Sequence, residues 1–284
     1  MRCLVLGGTG MLGRAVVAEA RSRGWAALGL SHAQADLGCR DSLLGWAERF
    51  RPEVVVNCAA YTKVDAAETD RERAFAVNGA GVANAAALAG RAGARLVQVS
   101  TDYVFDGEAR EPYREDAPTA PLSVYGESKL EGERRALAQE RSLVVRTSWL
   151  FGPRGHNFVA TMVGLIEAGR PLRVVTDQVG CPTSTPSLAR ALLDLAARGA
   201  SGVVNYQDRE PVSWYAFAVE IARLWFGAVE VIPVTSAEFP RPARRPAYSV
   251  LDVGRFETIA GRRVEPWTNG LVETLAWLRK ERNR

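Results

Sequence analysis

Lysine is nearly missing from this chain of 284 residues. Of its 36 basic side chains only Lys63, Lys129 and Lys280 are lysine, and the other 33 are arginine. So broad a replacement reads as compositional bias, and it makes each surviving lysine worth a question. Paired cysteines are missing too: Cys3, Cys39, Cys58 and Cys181 lie far apart with no CxxC spacing, which argues against a zinc site and a disulfide framework. Three of them stand in or beside apolar runs, as small buried hydrophobes do. No apolar stretch approaches membrane-spanning length, and "MRCLVLGG" is too short a run for a secretory signal. The cytoplasm is therefore the expected location, with no membrane partner. The formal net charge is only +4 and the basic residues form no single stripe, so no nucleic-acid partner is expected. Internal repeats and low-complexity tails are absent.

What is there begins with a rhythm. "RCLVLGG", "AALGLS", "EVVVNCAA", "RLVQVSTD" and "SLVVRTSW" read as strands, separated by helical patterns over 11–23, 71–92 and 125–139. Runs such as Val54-Val55-Val56 do not alternate with polar residues, which suits strands covered on both faces. Strand and helix repeated in this way predict an α/β, doubly wound Rossmann-type parallel sheet. After Trp149 the pattern loosens. "LRVVTD", "GVVNYQ" and "EVIPV" look like strands, Thr185-Pro186 like the cap and first position of a helix to about Arg198, and Ser213 like the start of another to Phe226. A last helix is expected over Asn269 to Arg282, after a proline-rich loop over 238–249. The expected division is a dinucleotide-binding domain over 1–150 and a smaller mixed α/β, mainly substrate-binding domain over 151–284, with some strands or helices returning to the first.

"LVLGGTGMLGR" sets Gly7, Gly10 and Gly13 between the first strand and the first helix. Glycines at that point allow a tight turn, close backbone approach and a helix N-terminus aimed at a pyrophosphate. Gly7, Thr9, Gly10, Met11, Leu12 and Gly13 are thus the expected phosphate loop. At the end of the second strand stand Ser31 and His32 where an acid would hold the ribose hydroxyls, and Arg14 follows the last glycine. That pattern favours NADPH, with NADH as the alternative. Asp36 and Leu37 are expected beside the adenine.

At the end of the fourth strand comes "STDYVFDG", and the next helix brings Tyr125 and, one turn on, Lys129. Ligands gather at the carboxyl ends of parallel strands, and residues four apart share a helix face. A free phenol, with a pKa of about 10, exchanges protons poorly at neutral pH. A nearby ammonium favours the phenolate, and a compact lysine suits that place better than the planar fork of arginine. Tyr125 is the expected proton donor, Lys129 its tuner and Thr101 the group that orients a carbonyl.

Taken together, "GGTGMLG", "VVNCAAYTKVDAAE", "STDYVFDG", "YGESKLEGE", "VVRTSWLFG", "VVTDQVGCPT" and "RRPAYSVLD" resemble the extended short-chain dehydrogenase/reductase family and, within it, the dTDP-4-dehydrorhamnose reductases, over nearly the whole chain. The resemblance implies hydride transfer from NAD(P)H to the 4-keto carbon of dTDP-4-dehydro-L-rhamnose or a related dTDP-sugar, in the synthesis of cell-surface polysaccharide. It also implies that Ala59, Ala60, Tyr61 and Asn78 flank the coenzyme, and that Thr62, Val64, Asp65, Thr101, Asp102, Tyr103 and Trp149 meet the sugar. Asn157 reads equally as a helix cap or a ligand, and Arg245 as a clamp for the diphosphate. Some members hold magnesium at a dimer contact through an acid shortly after the glycine loop. Ala15 stands there, so no metal is expected, and the assembly is left as monomer or homodimer. Two alternatives stay open. One is a reductase, dehydratase or epimerase of another nucleotide-linked keto-sugar, although Tyr103 occupies the place of a dehydratase's extra acid. The other is a non-catalytic NADP-binding subunit similar to the β subunit of methionine adenosyltransferase.

Overall fold

The continuous apolar runs are strands covered on both sides. β1 (Arg2–Leu6), β2 (Ala26–Leu30), β3 (Val54–Asn57), β4 (Arg95–Val99), β5 (Ser142–Arg146) and β10 (Gly202–Asn205) form one parallel sheet in the order β10-β5-β4-β3-β1-β2. The structure, a computed structural model, describes residues 1–282. Successive side chains point to opposite faces. Cys3, Val5, Val54, Val56, Val97 and Val145 pack on one side, and Leu4, Leu6, Val55, Leu96 and Val144 on the other. The first side is covered by α1 (Met11–Ser22), α8 (Thr185–Ala197) and α10 (Gly254–Ala260). The second is covered by α2 (Arg40–Phe50), α5 (Gly81–Ala92) and the end of α6 (Val124–Leu137).

The helical stretch expected over 71–92 is in three parts. α4 (Arg71–Phe75) runs into a π turn over Ala76–Ala80 before α5, and α3 (Val64–Ala67) precedes it. α2 was not foreseen in the sequence: it buries only Leu43 and Ala47, too sparse a stripe to stand out.

Beyond residue 150 the chain divides its loyalties. α8, β10 and α10 belong to the main sheet and its core, so "GVVNYQ" completes the sheet edge beside β5. The remainder forms a second body of short paired strands: β6 (Leu150–Phe151) with β9 (Thr183–Ser184), β7 (Leu172–Val175) with β12 (Val231–Val234), and β8 (Val179–Gly180) with β11 (Val212–Ser213). α7 (Phe158–Glu167), α9 (Trp214–Trp225) and α11 (Trp267–Arg282) close its core around Phe151, Val163, Phe217 and Leu271. Ser213 caps α9 as expected. α8 is capped one place earlier than expected, by Ser184, whose hydroxyl accepts from Ser187 N, so Thr185 and Pro186 lie inside the helix. α11 likewise begins at Trp267 and not at Asn269. Among the described residues no helix is long and apolar enough to cross a membrane.

Candidate active site

The loop after β1 is shaped by its glycines. Gly7 has φ +71°, and a Cβ there would lie 2.8 Å from the Ala59 nitrogen. Gly13 backs it so closely that a Cβ would meet the Gly7 carbonyl oxygen. The turn delivers the chain to the N-terminus of α1, which has no side-chain cap and no acid in its first turn. Free N–H groups and the positive end of the helix dipole therefore face whatever occupies the cleft in front of them. Such an end is a ready site for a phosphate group.

That cleft has a volume of about 660 Å³. Of the residues expected to hold a dinucleotide, Gly7, Thr9, Gly10, Met11, Leu12, Asp36, Leu37, Ala59, Ala60, Tyr61, Tyr125 and Lys129 line it, as does Thr62. Three others stand behind the wall. Gly13 lies under the loop. The Ser31 hydroxyl is turned to Gln34 Oε1 at 2.9 Å. Asn78, in the π turn, is buried and holds both the Tyr61 nitrogen (2.8 Å) and the Tyr61 carbonyl (3.0 Å), with a third bond to Ser128. It pins the strip over 59–61 to α6 and does not line the cleft. The glycine cradle, the uncapped helix and the length of the groove fit a dinucleotide.

The cleft is also lined from the ends of β3 and β4 by Asn57, Cys58 and Val99, to which the sequence assigns no role, and by Ser100, which it sets at the strand end without one, together with Arg73, Val77, Leu150, Gly155 and His156. The strand-end residues adjoin motifs already singled out and were within reach. Gly155 and His156 come from the second body, and only the fold brings them over. Asn157 is a cap: its carbonyl oxygen accepts from Ala160 N at 3.1 Å.

α6 starts at Ser123, whose hydroxyl accepts from Gly126 N, and it brings Tyr125 and Lys129 into the cleft. Their detailed relation differs from the expectation. Lys129 is buried, and its Nζ donates to the Val99 carbonyl at 2.7 Å, away from the phenol. Burial draws the amine down to about 8, while Glu133 one turn on supports its charge. Burial, and then the Asp102 carboxylate, hold the Tyr125 phenol well above its ordinary value, and the Thr101 hydroxyl pulls the other way. Lys129 is not among the groups that act on the phenol in this arrangement, although two of its three N–H donors remain beside the one given to Val99. Behind it lies a buried network that the sequence did not reveal. Arg146 donates to Glu133 at 2.8 and 2.9 Å, and the Ser100 hydroxyl donates to the same carboxylate at 2.6 Å.

The residues expected around the sugar are more dispersed. Tyr103 packs edge-on against Tyr125 with ring centres 5.7 Å apart. Trp149 takes a left-handed φ of +45° and stacks on Trp214 at 3.6 Å. Val64 opens α3. Asp102 is only 2% exposed, so it stands inside the wall. Asp65 is bound by Arg241 and Arg245, and Arg245 also supports the Tyr103 hydroxyl. The guanidinium assigned to a diphosphate is thus engaged with an internal carboxylate.

A family described as the RmlD substrate binding domain matches residues 1–280. A dTDP-4-dehydrorhamnose reductase of Streptomyces griseus is 41% identical over 282 residues, covering 96% of this chain and 92% of that protein. The chain belongs to the dTDP-4-dehydrorhamnose reductase family. A crystal structure of a family member from Clostridium acetobutylicum is 40% identical and superposes with a TM-score of 0.94 over 98% of this chain and 100% of that one. Another, from Bacillus anthracis in complex with NADP, is 33% identical with a TM-score of 0.93, over 97% of this chain and 98% of that one. Family membership and the Rossmann-type fold expected from the motifs are both borne out.

Proposed function

We propose that this chain reduces the 4-keto group of dTDP-4-dehydro-L-rhamnose, giving dTDP-L-rhamnose for polysaccharide synthesis, with NADPH as hydride source and NADH as its substitute. The observation that carries the reading is that Tyr125 and Lys129 share one cleft with the glycine loop of α1. The residues fit a dinucleotide: Gly7 to Leu12 would hold the pyrophosphate, Asp36 and Leu37 the adenosine end, and the strip over 59–61 the nicotinamide end. When bound, the nicotinamide supplies the hydride. Tyr125 gives its phenolic proton to the oxygen of the reduced ketone, and Thr101 orients that oxygen. Lys129 holds positive charge next to the site and favours the phenolate left behind. Thr62, Val64, Tyr103 and Trp149 shape the sugar pocket. The cytoplasm is the location proposed for it.

Mixing the protein with NADPH and dTDP-4-dehydro-L-rhamnose is the test. Loss of absorbance in the reduced-nicotinamide band, with a rhamnose product, is expected. A flat trace with either coenzyme ends the proposal, and turnover of only a different dTDP-keto-sugar changes its substrate.

A further inference from the structure

Asp102 opens a 3₁₀ turn over Asp102–Val104, just past β4 and directly after Thr101, and the reduction just described gives it no task. Its carboxylate is buried at 2% exposure. Oδ1 accepts the Thr101 hydroxyl at 2.9 Å, and the buried Oδ2 makes no hydrogen bond. Ser249 faces the same carboxyl. A second donor is already spent on the Thr101 oxygen, from Tyr103 N at 3.2 Å. Beyond that hydroxyl stands the Tyr125 phenol.

A threonine hydroxyl has one proton to give, and here two oxygens compete for it: Asp102 Oδ1 on one side, and the Tyr125 and ketone oxygens on the other. An ionised carboxylate is the stronger acceptor and draws the proton inward. A neutral carboxylic acid reverses the bond, donating to Thr101 and leaving its proton free to turn outward. We propose that Asp102 is a positioning residue whose protonation state sets the direction of the Thr101 hydroxyl, and that the neutral acid presents Thr101 as a donor to the reacting oxygens. The inference rests on the reduction proposed above for its kinetic consequence, but not for its effect on Tyr125.

The surroundings support a change of charge here. Burial pushes Asp102 up to about 6, with Ser249 and Thr101 pulling the other way. The other groups facing it are Tyr103, Tyr125 and Cys181, and burial raises all three well above neutrality. Arg245, beyond Tyr103, stays charged. Lys129 titrates separately, at about 8.

Asp102→Asn is the discriminating variant, because its amide N–H₂ donates to Thr101 at every pH. In the unaltered protein kcat/KM should fall, by roughly tenfold, as pH rises through about 6. The variant should lack that limb, keep the one near 8 that belongs to Lys129, and match or exceed the parent at neutral pH. Ser249→Ala, which removes a hydroxyl from the carboxylate, should move the limb to higher pH. A second readout needs no sugar: tyrosinate absorbance titrated against pH, with Tyr125→Phe as the blank. Removing the Asp102 charge should lower the Tyr125 midpoint. An unchanged acid limb in Asp102→Asn, or an unmoved Tyr125 midpoint, overturns the inference. A protein that reduces no keto-sugar but shows the tyrosine shift overturns the proposed reaction alone.

Discussion

Arg245 closes on Asp65 across 180 positions of sequence, with its two terminal nitrogens 3.0 and 3.1 Å from the two carboxylate oxygens. Arg241 and the Ala243 nitrogen bind the same group, so the proline-rich segment is clasped to the start of α3. Burial alone would raise the Asp65 carboxyl, but its bonds to Arg245 and Arg241 outweigh burial and hold it below the usual range. A depressed carboxyl stabilises the fold above its unfolded pKa, and the contribution is lost as pH falls through the folded value. Asp65→Ala should therefore cost about 1–2 kcal/mol at neutral pH, a modest figure because the site is partly exposed. Hydrogen exchange over 239–247 should quicken, and the difference in Tm should vanish in strong acid.

Gly13→Ala tests the loop. Its new methyl would collide with the Gly7 carbonyl oxygen, and backbone must yield. Overpacking of this kind costs about 1–3 kcal/mol. The shift also displaces the N–H groups at the start of α1. NADPH affinity, followed by nicotinamide fluorescence, should weaken by about tenfold or more.

Tyr125→Phe keeps the ring that packs edge-on against Tyr103 and removes only the hydroxyl, and with it the proton to be given. Coenzyme affinity should stay within about twofold, while kcat drops by roughly 10² to 10⁴. Equal turnover would remove the tyrosine from its role.

Lys129 carries a prediction about stability and pH together. Its folded value of about 8 lies below the ordinary 10.5, so the unfolded chain binds a proton here that the folded one releases between those limits. Stability must then rise with pH across that window. Relative to Lys129→Met, the parent should gain about 3 kcal/mol between pH 7 and 10.5 in urea unfolding. A constant difference would mean that the amine stays charged in the fold.

The parts of the fold that were legible in the sequence are those fixed by local chemistry. Gly7 to Gly13 announce their turn because only glycine fits it, and Val54 to Val56 announce a central strand because nothing polar interrupts them. Tyr125 and Lys129 are paired by helical geometry alone. What stayed hidden depends on partners far away. The π turn at Asn78 shows in no residue pattern, since it is a matter of hydrogen-bond register. Glu133 sat one turn beyond Lys129 in plain view, but its buried partner Arg146 comes from another strand. Asp65 and Arg245 were both read as facing ligand because nothing local shows that they meet each other.

The return of α8 and β10 to the sheet has a practical consequence for anyone cutting the gene. A polypeptide stopped near residue 150 would leave β5 as a raw sheet border, with a row of unsatisfied peptide groups where β10 belongs, and would lay bare the apolar stripe of Val16 and Ala20 on α1. Borders of that kind recruit other chains. The coenzyme-binding half is therefore not a portable module, and fusions or split versions that interrupt 185–205 should yield aggregates.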